Sequence, residues 1–127
     1  MEAMLHSSVA RGRTAEDVAA GYLEGRGWSV IARNVRTPVG ELDLVCMEDH
    51  TTVVVEVKGR SNSLFGEALE SVGPRKERRL RAAAAWWMAE EGGVRRGLRF
   101  DVIVVCLDGD GSVRSLAHLR DALGGGS

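Results

Sequence analysis

The sequence predicts an α/β fold in which helices flank a mixed β-sheet, with elements in the order α-β-β-β-α-β. Two segments carry apolar residues at helical spacing, three strand-like segments follow one another through turn residues, and a strongly apolar strand follows the second helix. Strands joined by short turns pair antiparallel, whereas a helical crossover returns the next strand in parallel. The sheet is therefore expected to contain both kinds of pairing.

The composition predicts a single globular domain. The chain has 127 residues, and 44% of them are hydrophobic, which suffices for one core. We expect a flexible leader at 1–10, one domain at 11–123 and a flexible tail at 124–127. No apolar run is long enough to cross a bilayer and no secretory signal is visible, so the expected location is the cytoplasm, without a membrane partner.

The cysteines and histidines do not form a recognisable site. Cys46 and Cys106 lie in apparent strands without Cys-x-x-Cys spacing, which favours buried free thiols over a disulfide or a zinc site. His6, His50 and His118 are scattered without the spacing of metal ligands. We interpret each histidine as an ordinary exposed polar residue.

The first part of the chain is expected to form a helix, a strand and a hairpin. The helix runs from about Gly12 to Gly25, with Thr14 as its N-cap. A strand over 28–36 follows, and Thr37 to Gly40 has the residues of a turn. Residues 40–60 then form two strands joined by a short loop, because Val and Leu flank a polar interruption.

The hairpin at 40–60 places charged side chains on strands that otherwise resemble buried ones. Side chains alternate along a strand, so Glu41 and Asp43 share one face of the first strand. Glu56 and Lys58 likewise share one face of the second strand. Charge buried without a partner is costly, and a divalent cation is a natural partner for carboxylates. The alternative is a same-face ion pair between Glu56 and Lys58 on an exposed strand.

The second half of the chain is expected to contain one long helix and one long strand. After a polar loop at 59–73, the helix runs from Pro74 to about Glu91, with proline in its first turn and glycines after its end. A strand over Leu98 to Leu107 and a short strand over Ser112 to Ser115 follow. Leu116 to Leu123 is expected to form a brief terminal helix.

The long helix has one apolar stripe that should pack on the sheet, made of Leu80, Ala83, Ala84 and Trp87. Lys76 falls at the N-terminal end of this stripe, where it either points over the sheet edge toward the acidic residues or extends to solvent. On another side of the helix, Trp86 lies among arginines, an arrangement that suits both nucleic-acid contact and a dimer interface.

Charge is distributed unevenly along the chain, although the net charge is only −1. Residues 37–74 contain seven acidic and two basic side chains, a balance of −5, whereas residues 75–99 contain eight basic and three acidic ones, a balance of +5. An acidic cluster able to hold a metal thus lies beside a basic segment able to hold phosphate. The candidate nucleic-acid-binding residues are Arg33 and Arg36 at the end of the first strand, and Arg75, Lys76, Arg78 and Arg79 in the long helix. Each of them also fits a solvated surface.

Several motifs resemble those of known families. Asp43, followed after a hairpin by Glu56-Val57-Lys58, resembles the Asp…Glu-x-Lys signature of the restriction-endonuclease-like nucleases, which include archaeal Holliday-junction resolvases. Over about residues 11–105 the chain resembles the uncharacterised bacterial UPF0102 (YraN-like) family. The motifs that carry this second resemblance are, in order, Arg11-Gly12-Arg13-Thr14-Ala15-Glu16, Arg33-Asn34-Val35-Arg36, Gly40-Glu41-Leu42-Asp43-Leu44, Val55-Glu56-Val57-Lys58, Phe65-Gly66, Lys76 and Arg99-Phe100-Asp101-Val102.

The resemblance implies a restriction-endonuclease-like core and a metal-dependent endonuclease that hydrolyses phosphodiester bonds in branched or otherwise structured DNA. Its implied catalytic residues are Glu16, Asp43, Glu56 and Lys58. Mg²⁺, or Mn²⁺ in its place, would be held by Asp43, Glu56 and the carbonyl of Val57. Taken alone, Glu16 in the first turn of a helix also suits the positive end of the helix dipole. A homodimer is implied because paired cuts need paired sites.

The alternative function is a nucleic-acid-binding or adaptor protein that keeps the nuclease fold without turnover. The acidic residues and Lys58 favour the enzyme, since a binding protein has no evident need to bury those carboxylates together. A third interpretation is a protein-interaction module that uses Trp86 and the basic helix. Asp101 matches a family position and is expected to order the end of the sheet or the basic residues rather than take part in catalysis.

Overall fold

The computed structural model describes residues 8–61, 73–91 and 97–123, with side chains from Thr14 onward. Its elements are, in chain order, helix α1 (Ser8–Gly25), strands β1 (Ser29–Thr37), β2 (Gly40–Glu48) and β3 (Thr51–Arg60), helix α2 (Pro74–Glu91), and strands β4 (Gly97–Leu107) and β5 (Val113–Leu119). The expected tail at 124–127, residues 1–7 of the expected leader and residues 62–72 of the expected loop lie outside the described part of the chain.

The five strands form one mixed sheet in the order β1-β2-β3-β4-β5. Antiparallel pairs join β1, β2 and β3 through short turns, while β4 pairs parallel with β3 after the crossover through α2. The fifth strand pairs antiparallel with β4. The predicted mixed sheet and the predicted element order through β4 are therefore confirmed. A five-stranded mixed sheet with a helix on each face is consistent with a nuclease-like α/β fold.

Each face of the sheet carries its own core beneath one helix. The residues predicted for the apolar stripe of α2 are all buried there: Leu80, Ala83, Ala84 and Trp87. On the opposite face, α1 buries Ala15, Ala19, Ala20 and Leu23. Both faces of the central strand β3 are apolar, because Val53 and Val55 point toward α1 while Val54 points toward α2.

The sheet opens at one end because β2 and β3 separate. Their pairing ends at Leu44 opposite Val55. Beyond that point β2 stays paired with β1, and β3 stays paired with β4. The next residues on the two strands are Asp43 and Glu56, so two acidic side chains stand where the sheet opens. Leu42 packs on the α2 face although Leu44 packs on the α1 face, which shows that strand alternation also breaks at Asp43.

Helix α1 is longer at its N-terminus than the sequence pattern indicates. It begins at Ser8 rather than near Gly12, so Thr14 lies inside the helix and is not its N-cap. Residues 8–10, which we assigned to the leader, are therefore helical. A glycine inside a helix costs only about 1 kcal/mol relative to alanine, so Gly12 does not prevent the helix from starting earlier, at Ser8.

The expected terminal helix over Leu116 to Leu123 is wrong. Val113–Leu119 forms β5 instead, and residues 120–123 form turns. The free edge of β4 offers a full set of backbone hydrogen bonds, whereas a helix of two turns is only marginally stable in water. Tertiary pairing therefore overrides the local helical pattern.

Strand β5 also buries a residue that we expected at the surface. The imidazole of His118 is 6% exposed, its Nε2 lies 2.8 Å from Asp101 Oδ2, and its Nδ1 lies 3.0 Å from the Tyr22 hydroxyl. The prediction of an exposed residue is wrong because β5 places this ring against α1 and β4. His50 is exposed as expected, and His6 lies outside the described residues.

Asp101 is the centre of this buried polar network. Its fully buried carboxylate accepts hydrogen bonds from the Arg99 guanidinium at 2.8 and 3.0 Å and from the Asp121 N–H at 2.9 Å. Burial favours the neutral acid, but the hydrogen bonds from His118, Arg99 and Asp121 prevail and lower the pKa of Asp101 to about 2. The carboxylate thus ties β4 to β5 and to the turn that follows β5.

The two cysteines agree with the expectation from the sequence. Cys46 and Cys106 are buried free thiols, as predicted. Burial raises the pKa of the Cys46 thiol to about 12, which makes it a poor nucleophile at neutral pH. Within the described ranges, no helix is long and apolar enough to cross a membrane.

Candidate functional site

A cluster of two carboxyl groups and two ammonium groups lies where β2 and β3 separate. Glu56 is at its centre, with a side chain that is only 6% exposed. Lys76 Nζ lies 2.7 Å from Glu56 Oε2, and Lys58 Nζ lies 3.3 Å from the same oxygen. Asp43 completes the cluster, because its carboxyl group is hydrogen-bonded to that of Glu56. We call these residues the carboxylate–lysine cluster.

Local structure explains why these side chains meet. Lys58 lies two residues beyond Glu56 in β3, so both side chains point to the face covered by α2. Because α2 begins at Pro74, Lys76 lies in its first turn, one turn before the buried Leu80. From this position its side chain brings the ammonium to Glu56. Lys76 was expected either to point toward the acidic residues or to extend to solvent, and in the structure it points toward the acidic residues.

The Asp43 side chain accepts a backbone hydrogen bond from β3 just beyond the point where the pairing of β2 with β3 ends. Its Oδ2 accepts the N–H of Val57 at 2.9 Å. Burial, the negative charge of Glu56 and the hydrogen bond to Glu56 raise the pKa of Asp43 to about 7, against the opposing effect of the Val57 amide. Asp43 therefore loses its proton near neutral pH, and only the ionised form is a full ligand for a cation.

Glu56 and the two lysines influence one another's protonation. Burial alone would raise the pKa of Glu56, but hydrogen bonds from Asp43 and Lys76 and the charges of both lysines hold it below its usual value. Burial lowers the pKa of Lys58 despite its attraction to Glu56. Burial also acts to lower the pKa of Lys76, but contact with Glu56 prevails and raises it. The two lysines of the cluster are therefore shifted in opposite directions.

Glu16 approaches the cluster from the α1 side. Burial raises its pKa, and a hydrogen bond from the Asn34 side chain opposes that shift. Glu16 and Asp43 also repel each other electrostatically. Asn34 has a φ of 51°, a left-handed conformation that asparagine tolerates better than most residues. Asn34 was absent from the predicted site, although its place in Arg33-Asn34-Val35-Arg36 at the end of a strand was the signal for it.

A cavity of about 330 Å³ opens beside the cluster. Its sheet side is formed by Gly40, Glu41, Asp43 and Glu56, and its helix side by Lys76, Arg79 and Leu80. Gly40 allows the turn before β2 to approach α2 closely, because a Cβ there would lie 3.3 Å from the Arg79 carbonyl oxygen. Carboxylates therefore line one wall of the cavity and cations the other, an arrangement suited to a metal ion beside a phosphate.

The donor set fits a small hard cation held by few protein ligands. Across the described ranges, no group of three or more His, Cys, Asp and Glu side chains is arranged to hold a metal ion. Asp43 and Glu56 form a pair instead, and Mg²⁺ usually takes one or two carboxylates while it keeps several waters. Two carboxyl groups in contact, one with a pKa raised to about 7, favour added positive charge. In this structure Lys76 supplies such a charge at Glu56.

The arginines of β1 are paired with carboxylates on the outer surface. Arg33 binds Asp17 of α1, and Arg36 lies 3.6 Å from Glu41 of β2. The Arg36 side chain is 86% exposed, so its ion pair is weak and can exchange for a phosphate. Arg33 directly precedes Asn34, whose side chain connects this part of β1 to Glu16.

The basic residues of α2 start at the cavity and continue over its outer surface. Lys76 and Arg79 line the cavity. Arg75 and Arg78 are exposed, and neither forms an ion pair with any residue in the described part of the chain. The structure thus gathers Asp43, Glu56, Lys58 and Lys76 into direct contact while Arg75 and Arg78 remain outside that cluster.

The fold and this site define an α/β protein with a nuclease-like mixed sheet and a carboxylate–lysine cluster where two strands separate. The chain belongs to the uncharacterised protein family UPF0102, whose family model matches residues 15–105. It is 44% identical over 107 residues to a UPF0102 protein of Syntrophotalea carbinolica, and the aligned segment covers 84% of this chain and 87% of that protein. A UPF0102 protein of Anaeromyxobacter dehalogenans is 43% identical over 116 residues, covering 91% of this chain and 85% of its own. One of Beutenbergia cavernae is 45% identical over 109 residues, with 86% and 92% covered.

The raised pKa of Asp43 predicts a pH-dependent gain in stability for Asp43→Asn. A carboxyl group whose pKa rises from 3.8 to about 7 on folding stabilises the fold below about pH 4, and this contribution is lost as pH rises through 7. The permanently neutral asparagine avoids that loss and can still accept the Val57 N–H. In metal-free buffer, Asp43→Asn is expected to gain about 2 kcal/mol relative to wild type between pH 5 and pH 8.

The measurement is urea unfolding of both proteins at several pH values with a chelator present. Glu41→Gln is the control, because it removes an exposed carboxylate from the same strand. If the difference between Asp43→Asn and wild type does not change between pH 5 and pH 8, the assigned environment of Asp43 is incorrect.

Proposed function

We propose that this protein is a metal-dependent endonuclease that hydrolyses phosphodiester bonds in structured DNA. The observation that carries the proposal is the contact among Asp43, Glu56 and two lysines at the wall of a cavity. Buried carboxyl groups in mutual contact cost stability unless a cation balances them. Binding a metal ion and a phosphate is a function that accounts for this cost.

In the proposed reaction Asp43 and Glu56 would hold Mg²⁺ or Mn²⁺, with the carbonyl of Val57 as the expected third protein ligand. When bound, such an ion stabilises negative charge on phosphoryl oxygens and lowers the pKa of a coordinated water. The hydrogen bond from Val57 N–H fixes the Asp43 carboxylate, so that ligand does not have to be ordered when the ion arrives.

The other residues of the site act on water and phosphate. Lys58, whose ammonium lies 3.3 Å from Glu56, orients the attacking water and stabilises the negative charge that develops on the phosphoryl group. Lys76, which lies 2.7 Å from Glu56, would be released by a cation bound to Glu56, and its ammonium would then be available to an oxygen of the scissile phosphate. Arg79 lies on the same wall and binds a neighbouring phosphate. Glu16, held by Asn34, orders water on the α1 side.

This division of roles predicts that Lys76→Met binds divalent cations more tightly than wild type. Lys76 occupies Glu56 Oε2 at 2.7 Å, so a metal must displace a favourable charge contact. Removing the competing ammonium is expected to tighten Mn²⁺ binding by about tenfold, which corresponds to about 1.4 kcal/mol. Titration calorimetry of the two proteins measures this difference.

Arg78→Met is the matched control, since it removes a neighbouring exposed cation without altering the contact at Glu56. Equal or weaker Mn²⁺ affinity in Lys76→Met would show that Lys76 does not compete for the metal. The absence of Mn²⁺ binding to wild type would count against the metal-dependent enzyme itself.

The proposed function is tested by a cleavage assay on junction, flap, nicked, single-stranded and duplex DNA, with RNA in parallel. Wild type is expected to cut at least one branched substrate with Mg²⁺ or Mn²⁺, and chelation or Asp43→Asn is expected to abolish the cut. Cleavage that survives both treatments would come from a contaminant or from another site.

Salt-dependent binding of nucleic acid without cleavage of any substrate would favour the alternative, a binding or adaptor protein with a nuclease fold. Asp43 and Glu56 would then have a structural role, and a chelator would leave the affinity for nucleic acid unchanged. The homodimer and the cytoplasmic location expected from the sequence remain predictions. Sedimentation with and without DNA tests the first, and fractionation of cells tests the second.

A further inference from the structure

One face of α2 carries a line of residues that begins beside the cavity and runs away from it. Arg75, Arg79, Ala82 and Trp86 follow one another at intervals of four, three and four positions, so they lie on one side of the helix. All of them are exposed, and Arg79 also lines the cavity. We call these residues the outer stripe.

Trp86 is an unusual member of this surface. Its side chain is 38% exposed, whereas Trp28 and Trp87 are 5% and 8% exposed. The opposite stripe of α2 already docks the helix on the sheet through Leu80 and Trp87, so Trp86 is not required for that packing. A large aromatic ring left partly in water loses hydrophobic stabilisation, which favours a role in binding.

The charge and shape of the outer stripe indicate the kind of partner. Arg75 and Arg79 are both exposed on this face, and a guanidinium can hold a phosphate through two parallel hydrogen bonds. Ala82 leaves a low point between Arg79 and Trp86, which lie about 10 Å apart along the helix axis. A second copy of the same stripe would bring like charges together, which disfavours self-association through this face.

We propose that the outer stripe binds a single-stranded segment of nucleic acid, with phosphates at Arg75 and Arg79 and an unpaired base stacked on Trp86. Bases in a duplex are stacked inside and offer no free face, whereas an unpaired base can stack on an exposed aromatic ring. This inference rests on the proposed function, because it takes the cavity beside Arg79 as the cleavage site. It specifies the substrate as nucleic acid with an unpaired strand next to the bond that is cut.

The test measures binding of a short oligothymidine and of a blunt-ended two-strand duplex without unpaired bases, in buffer without divalent cations. Trp86→Ala is expected to weaken binding of the single strand by about tenfold and to leave duplex binding nearly unchanged. Arg79→Met is expected to reduce the salt dependence of single-strand binding by about 0.7 in the log–log slope, whereas Trp86→Ala leaves that slope unchanged. Stacking and phosphate contact are thereby separated.

Intrinsic fluorescence provides a second readout, because Trp86 is the most exposed of the three tryptophans. The single strand is expected to quench wild-type emission, and Trp86→Phe is expected to lose most of the quenching while it keeps part of the affinity. Leu98→Ala is the control, since Leu98 is a 41% exposed apolar residue at the start of β4. Circular dichroism confirms that each variant is folded.

Equal weakening of single-strand and duplex binding by Trp86→Ala would overturn the inference, as would no effect on either. A change from dimer to monomer caused by Trp86→Ala would assign the surface to a second copy of the chain and would also overturn it. Cleavage without Trp86-dependent binding defeats only this inference. Trp86-dependent binding without cleavage supports this inference as a binding site and defeats the proposed enzyme.

Discussion

Replacing Lys58 with methionine is expected to lower the rate of phosphodiester cleavage by about a hundredfold to a thousandfold. The Lys58 side chain is 12% exposed, and its ammonium lies 3.3 Å from Glu56. In the proposed cleavage this positive charge orients the attacking water and stabilises the transition state. The measurement is a single-turnover rate with saturating enzyme, which separates the chemical step from DNA binding.

Binding of DNA by Lys58→Met is expected to stay close to wild type, because the exposed arginines of β1 and α2 remain. Glu56 also keeps its contact with Lys76, so the fold should persist. Arg26→Met is the control, since it removes an exposed positive charge near the start of β1, away from the cluster. A single-turnover rate unchanged in Lys58→Met would remove Lys58 from the mechanism.

Replacing Asp101 with asparagine is expected to destabilise the fold by about 3–5 kcal/mol. The buried carboxylate is the shared acceptor for Arg99, His118 and the Asp121 N–H. An amide has one acceptor oxygen and a donor NH₂ group, so at least one of these donors loses its partner. The expected result is a fall of about 10 °C or more in the thermal midpoint.

The same substitution has a defined pH dependence. A carboxyl group whose pKa falls from 3.8 to about 2 on folding contributes stability that is complete above about pH 4 and is lost as pH falls through 2. The stability difference between wild type and Asp101→Asn should therefore narrow in that acid range. Asp49→Asn is the control, because Asp49 is exposed and its left-handed turn conformation suits asparagine. If Asp101→Asn loses no more stability than Asp49→Asn, the hydrogen bonds around Asp101 contribute little to the stability of the fold.

The long helix shows what local signals determine well. Its predicted limits, Pro74 and Glu91, agree with the observed ones, because proline favours a first helical turn and glycines follow its end. Its buried stripe was also predicted, since helical spacing alone decides which residues share a face. The strand pairing around the hairpin at 40–60 follows from the same kind of local pattern.

The C-terminal part of the chain shows where local signals are insufficient. The segment Leu116 to Leu119 has a pattern compatible with a short helix, yet it lies in β5 because β4 leaves an edge to be paired. That pairing brings His118 to Asp101 and Tyr22, residues that are distant from it in the sequence. No spacing rule relates positions that meet only after a sheet has formed.

For the candidate site, strand alternation was sufficient to predict that Glu56 and Lys58 share a face, and the resemblance to known families added Asp43 and Glu16 as candidates. Three features of the site depend on how distant segments pack. The strands β2 and β3 separate beside these residues, Lys76 forms an ion pair with Glu56, and the Asn34 side chain is hydrogen-bonded to Glu16. The local signals and the contacts in the site differ in the sequence distance over which they act. Strand and helix periodicities act over neighbouring residues, whereas desolvation, coupled protonation and ion pairing depend on which distant segments pack together.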